Sequence, residues 1–167
     1  MAKTDSFFIR ASVDFNGTTF AQNSIDLGAY VDALGKSVLR VHRASVKYGN
    51  PIQRVLPAGA TNTGANVGWQ LTTQSQTSLV PPTDKSVISQ GELYCQNDAG
   101  GNTILLEETQ DINPQDWQNG YLVGVEQIYL SCDQTTATDL TRVVVVLECT
   151  VETLSQSAAM ALALSQQ

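Results

Sequence analysis

The residues able to do chemistry in this chain are few and scattered. His42 is the only histidine, so any triad, metal cluster or proton relay that needs an imidazole must rest on it. It stands between Arg40 and Arg43 in a stretch of β-branched residues, which points to a structural role. Glu107, Glu108 and Asp111 form the one tight carboxylate group. A glycosidase pair or a metal site needs carboxylates that converge on one point, and neighbouring acids beside the Asn113-Pro114 loop read instead as solvated charge. No GxSxG, HExxH, Walker A or dinucleotide-binding loop occurs. The segment 97–102, NDAGGN, lacks the spaced carboxylates and closing glutamate of a calcium loop and reads as a turn. Trp69 and Trp117 could stack on a sugar, with Tyr121 and Tyr129 as further aromatics, although single aromatics in a β domain more often fill core or rim positions. These residues lead to the expectation of a chain that is no enzyme and needs no metal or cofactor.

The strongest constellation is one of charge. Between Ala33 and Thr83 there is no Asp or Glu, yet Lys36, Arg40, Arg43, Lys47 and Arg54 all fall there. From Ser86 to the end, eleven acidic residues face the single base Arg142. A basic strip of this kind can meet nucleic acid, the acidic half of the same chain, or the acidic half of another copy. The net charge of −7 and the lack of aromatic interleaving beyond Tyr48 argue against specific nucleic-acid binding. Lys36, Arg40, Arg43, Lys47 and Arg54 are therefore expected to form a subunit interface.

Composition sets the class. At 167 residues with 42% hydrophobic side chains, one sandwich domain spanning 1–167 can bury a substantial core. Charged residues are 15%, against roughly 25% in ordinary soluble domains, and Thr, Ser, Gln and Asn make up the difference. Such a surface can touch neighbours without desolvating many charges. The three cysteines, Cys95, Cys132 and Cys149, cannot all pair within one chain. Buried free thiols are the favoured reading, with a Cys132–Cys149 disulfide left open. The start, MAKTDSFFIR, has no apolar run of signal-peptide length, so the chain is expected to be made unsecreted and soluble.

Several elements must position these residues. Phe7, Ile9, Ala11, Val13 and Phe15 alternate with Phe8, Arg10, Ser12 and Asp14 and predict a half-buried strand over 6–15. Asn16-Gly17 then predicts a hairpin into a second strand, TTFAQNSIDL; the Asn16-Gly17-Thr18 triplet is also a glycosylation sequon, but the turn reading is preferred. Asp26 is a candidate cap for a short helix, Gly28–Leu34, stopped at Gly35. Residues 37–48 read as a strand, although spacings of 4, 3 and 4 between Lys36, Arg40, Arg43 and Lys47 would also align them on a helix. A long loop covers 50–66. Further strands are expected over 67–76, 86–96, 103–108, 121–131 and 140–154, with Val143–Leu147 in the sheet centre. The tail, 155–167, has high helix propensity, Ser155 as cap and no charge. It must dock, either on its own domain or on a neighbouring subunit or lipid. The sum is an all-β, antiparallel two-sheet sandwich of about eight strands, jelly roll favoured, with a short early helix and a C-terminal helix.

This pattern of eight strands, early helix, Thr/Gln-rich surface and missing active site resembles the single jelly-roll viral capsid proteins over nearly the whole chain. Many of those carry a basic N-terminal arm for the genome, whereas here only Lys3 and Arg10 precede Lys36. The chain is thus more similar to capsid proteins of icosahedral double-stranded-DNA viruses with an internal membrane. The resemblance implies a self-assembling, non-enzymatic shell protein of the virion, synthesised in the host cytoplasm. Its partners would be copies of itself, other capsid proteins and an internal lipid membrane, with no specific nucleic acid and no small-molecule substrate. A carbohydrate-binding sandwich module using Trp69 or Trp117 is the alternative.

Overall fold

Alternation of apolar and polar side chains is realised as strands along most of the chain. The computed structural model describes residues 4–32, 35–50 and 60–167. Among these, the strands are β1 (Phe7–Asp14), β2 (Ala21–Asp26), β3 (Ser37–Gly49), β4 (Gly64–Thr72), β5 (Val87–Asn97), β6 (Thr103–Ile112), β7 (Tyr121–Val123), β8 (Gln127–Gln134) and β9 (Arg142–Thr153). One α-helix, α1 (Gln156–Ser165), follows.

The strands form two antiparallel sheets, in the orders β1-β9-β3-β7 and β2-β8-β4-β5-β6. The pairing is nested: β1 lies with β9, β2 with β8, β3 with β7 and β4 with β5. A long two-stranded ribbon has been wound so that β9 also meets β3 and β8 meets β4. That winding is a jelly roll, with β6 added as an outer edge by a hairpin from β5. The inner faces of both sheets meet in a core that includes Leu39, Val41, Trp69, Leu71, Ile128, Leu130, Val143, Val145 and Leu147. Each aliphatic side chain of this kind contributes about 1.5–3 kcal/mol by leaving water.

Three expectations change. Asn16-Gly17 does form a turn, with Gly17 at φ +59°, but β1 and β2 do not pair. The turn carries the chain across the end of the sandwich, because Val13 and Phe15 bury from one sheet while Ile25 and Leu27 bury from the other. The expected helix at Gly28–Leu34 is a single turn among its described residues. The Tyr30 and Val31 N–H groups donate to the Leu27 carbonyl, and the Asp26 carboxylate accepts from the Gly28 N–H at 2.8 Å. The segment 121–131 is two strands, which makes nine strands where eight were expected. It breaks at Gly124–Glu126, where the chain passes from one sheet to the other.

Gly124 also explains how the tail is held. A Cβ there would press to 3.0–3.1 Å against Leu162 and the Ala163 backbone of α1. The buried Gln166 side chain accepts from the Gly124 N–H at 2.8 Å and donates to the Leu122 carbonyl at 2.7 Å. Its own carbonyl accepts from the Thr73 hydroxyl at 2.9 Å. Ser155 caps α1 by accepting from the Ala158 N–H. The tail therefore packs on its own sandwich, with Met160 and Leu164 left exposed.

The register of β6 depends on Gly91. A Cβ at this position would collide with the Thr109 carbonyl and lie 2.9 Å from Nε1 of Trp69. Gly91→Ala should cost about 2 kcal/mol, as expected for overpacking a core that cannot relax. Urea unfolding followed by Trp69 fluorescence checks this; an unchanged midpoint would mean that β6 shifts freely.

Candidate functional site: the outer face of the four-stranded sheet

The cations of β3 reach one surface through a break in the strand's own rhythm. Leu39 and Val41 point into the core, and so does Ala44 three residues later. The ladder to β9 pairs Val41 with Cys149 and Arg43 with Glu148, which leaves His42 as an inserted residue. This bulge reverses the parity of the strand. Arg40, Arg43 and Lys47, although separated by an odd and then an even step, thereby share the outer face, and Lys36 lies exposed just before the strand. Without the bulge, Arg43 and Lys47 would point inward.

The face does not use all its cations alike. Arg40 makes a two-pronged ion pair with Glu152 of β9, Nε to Oε1 at 2.6 Å and Nη2 to Oε2 at 2.8 Å. Its remaining amino group donates to the Asn119 carbonyl. Glu152 is 1% exposed, so this pair is shielded, and the carboxylate raises the guanidinium pKa further against the opposing effect of burial. Arg43 faces Glu148 across the ladder and remains exposed, as do Lys36 and Lys47. Arg54 lies outside the described residues. His42 Nε2 contacts the Thr150 hydroxyl at 2.9 Å, a structural bond on the same surface. At the far end, Arg142 grips Asp14 at 2.5 and 2.8 Å, which lowers the Asp14 pKa. An exposed pair of this type is worth roughly 0–1 kcal/mol.

The acids that balance the strip stand elsewhere. Glu107, Glu108 and Asp111 are exposed along β6, the edge of the other sheet. Among the described residues, no three His, Cys, Asp or Glu side chains gather as a metal site, and no helix is long and apolar enough to cross a membrane. In the 97–102 turn, the Asp98 carboxylate accepts from the N–H groups of Gly100 and Asn102, each at 2.8 Å, and from the Asn102 side chain. Its oxygens organise the hairpin between β5 and β6.

Of the two tryptophans considered for sugar stacking, Trp69 is 1% exposed within the core and offers no face to a ligand. Trp117 is 43% exposed and packs against Tyr121, with ring centroids 5.7 Å apart. Cys95, Cys132 and Cys149 are buried free thiols. The possible Cys132–Cys149 bridge does not form: both thiols are free, on β8 of one sheet and β9 of the other. Burial raises all three thiol pKa values, that of Cys149 to about 12.

No protein-family profile matches the chain, and no curated protein matches it in sequence. Similar shapes occur among solved structures. The chain resembles VP1 of Trichodysplasia spinulosa-associated polyomavirus at 9% identity and a TM-score of 0.49, covering 88% of this chain and 96% of that one. It resembles the VP1 pentamer of Human Polyomavirus 6 at 8% identity and 0.49, covering 89% and 95%. A virus-like particle of the giant freshwater prawn Macrobrachium rosenbergii nodavirus gives 12% identity and 0.33, covering 92% and 96%. The strand pairing, not these likenesses, defines the fold.

The sequence concealed Glu152 as the partner of Arg40, since nothing local links residues 112 apart. The bulge did leave a signal: cations spaced 4, 3 and 4 on a strand share a face only if one residue is inserted at the odd step.

Two measurements test this reading of the face and core. Arg40→Met should cost about 3 kcal/mol by removing the two-pronged partner of the buried Glu152 carboxylate, and adding Glu152→Met should recover most of it; equal losses in the single and double variants would deny the coupling. Unfolded thiols release their protons near about pH 8.5, whereas the folded thiols hold theirs. Their contribution to stability is complete below about pH 8 and falls as pH rises toward about 12, by up to roughly 1.4 kcal/mol per pH unit for each thiol. Urea midpoints at pH 7, 9 and 10 should decline, and Cys149→Val should flatten the decline; a slope untouched by that substitution contradicts the assignment.

Proposed function

We propose that this chain is a non-enzymatic structural protein of a viral capsid, assembling with copies of itself and with further capsid proteins into a closed icosahedral shell in the virion. The observation that carries this reading is the placement of charge on a jelly-roll sandwich. Arg43 and Lys47 are exposed on one sheet face with Lys36 exposed just before their strand, and Glu107, Glu108 and Asp111 are exposed on the edge of the other sheet. Two complementary surfaces on a rigid body suit contacts between copies, where such charges fix orientation more than affinity. The low charge of the remaining surface suits the same task. A net charge of −7 favours a shell separated from its genome by lipid over one that neutralises phosphates directly. Synthesis in the host cytoplasm completes the proposal.

Expression of the full chain, alone or with a partner capsid protein, followed by negative-stain microscopy, tests it. Large closed particles are expected at about 0.1 M salt, with fewer at about 1 M, where the screening length falls from about 10 Å to about 3 Å. Replacing Lys36, Arg43 and Lys47 together by Glu should abolish particles while leaving the circular dichroism unchanged. Undiminished assembly of that variant would remove the strip from the interface, and no particles under any condition would count against the shell function itself.

A further inference from the structure

One flank of the sandwich carries no covering strand among the described residues. The short strand β7 covers only Leu39–Val41 of β3. At Ala44 a side chain takes over: Gln115 Oε1 accepts from the Ala44 N–H at 3.0 Å, and Gln115 Nε2 donates to the Ala44 carbonyl at 3.3 Å. Beyond it the ladder to β9 uses the odd-numbered residues, as the Gly49 carbonyl shows by accepting from the Thr141 N–H. The N–H and carbonyl groups of Val46 and Tyr48 therefore point to the free side, where no strand lies among the described residues. On the same flank the opposite sheet ends in β6, ten residues long. Its Ile104, Leu105 and Leu106 are 51%, 55% and 60% exposed. Three consecutive exposed apolar residues on a sheet edge normally find cover.

Between the two edges lies a cleft of about 270 Å³. Val46, Tyr48, Leu93, Leu105 and Leu140 line it, and Lys47 and Glu108 also border it. The Tyr48 hydroxyl is buried, with the Trp69 indole N–H beside it. The flank thus has an apolar centre, a cation contributed by one sheet and an anion contributed by the other.

We infer that this flank is a two-fold interface with a second copy of the chain. A surface that carries both signs about an apolar centre is complementary to itself under a two-fold rotation. Lys47 of one copy meets Glu108 of the second and the reverse, while each Leu105 enters the other's cleft. Of the charges invoked for assembly above, the flank uses Lys47 and Glu108, whereas Lys36, Arg43, Glu107 and Asp111 stay outside its cleft and can join the closed dimer to others. The inference rests on the self-association proposed above and names one contact within it.

Sedimentation velocity of the full chain across protein concentration tests it. Lys47→Glu and Glu108→Lys should each weaken dimerisation by at least about tenfold. The double variant should return to within about threefold of the parent, and an equimolar mixture of the two single variants should form a 1:1 dimer. Leu105→Glu should abolish dimerisation and Leu105→Met should keep it. All these sites are exposed, and unchanged urea midpoints would confirm intact folds. A parent that associates while every variant associates equally overturns this interface but not the shell function, whereas a parent monomeric at every concentration overturns both. Amide protection at Val46 and Tyr48 that is independent of concentration would show the flank covered from within the chain, and also overturns the inference.

Discussion

The surface chemistry of this protein depends on one inserted residue. With His42 accommodated between Val41 and Arg43, β3 keeps Leu39, Val41 and Ala44 in the core while Arg40, Arg43 and Lys47 stay outside. A regular strand could not do both, because parity would force cations into the core or apolar residues into water. An unpaired charge in such a core costs far more than a bulge. The bulge lies beside β9, the strand that also supplies Glu152 and Thr150 to hold Arg40 and His42. The centre of the sheet and the pattern on its outer face are thus one arrangement.

Around that arrangement the jelly roll divides its surfaces by role. The outer face of the four-stranded sheet carries the cations, one of them consumed by a shielded ion pair. The outer face of the five-stranded sheet is screened in part by the 73–86 connection. Val80 is held there by the buried Gln70 side chain, and Leu79 occupies the space that a side chain at Gly68 would need. The tail closes one end through Gln166. The exposed apolar surface is concentrated at the β6 edge. Among the described residues the sandwich is thus covered on several sides, and its apolar exposure gathers on one flank.

Much of this was legible in the sequence, for identifiable reasons. Period-two alternation located β1, and β-branched density located β3 and β9, because both signals arise from local sterics and burial. The segment 121–131 misled because its apolar content continues through Gly124, where only the docking of α1 reveals the break. Asn16-Gly17 gave the turn but not its destination, since a turn residue fixes φ and not which sheet accepts the next strand. The candidate interface was half visible. The cations and acids could be listed from the sequence, but the pairing of Arg40 with Glu152 and the juxtaposition of Lys47 with Glu108 are products of the winding. Trp69, which composition alone could place on a surface, is instead packed over Gly91 in the core.

The proposed function requires this chain to touch other copies of itself. Its solution mass by multi-angle light scattering, followed from low to high protein concentration at low salt, tests that most directly. The account predicts a mass that rises above the 17.9 kDa of one chain and falls back toward it as salt is added. A mass of one chain at every concentration and salt would contradict it.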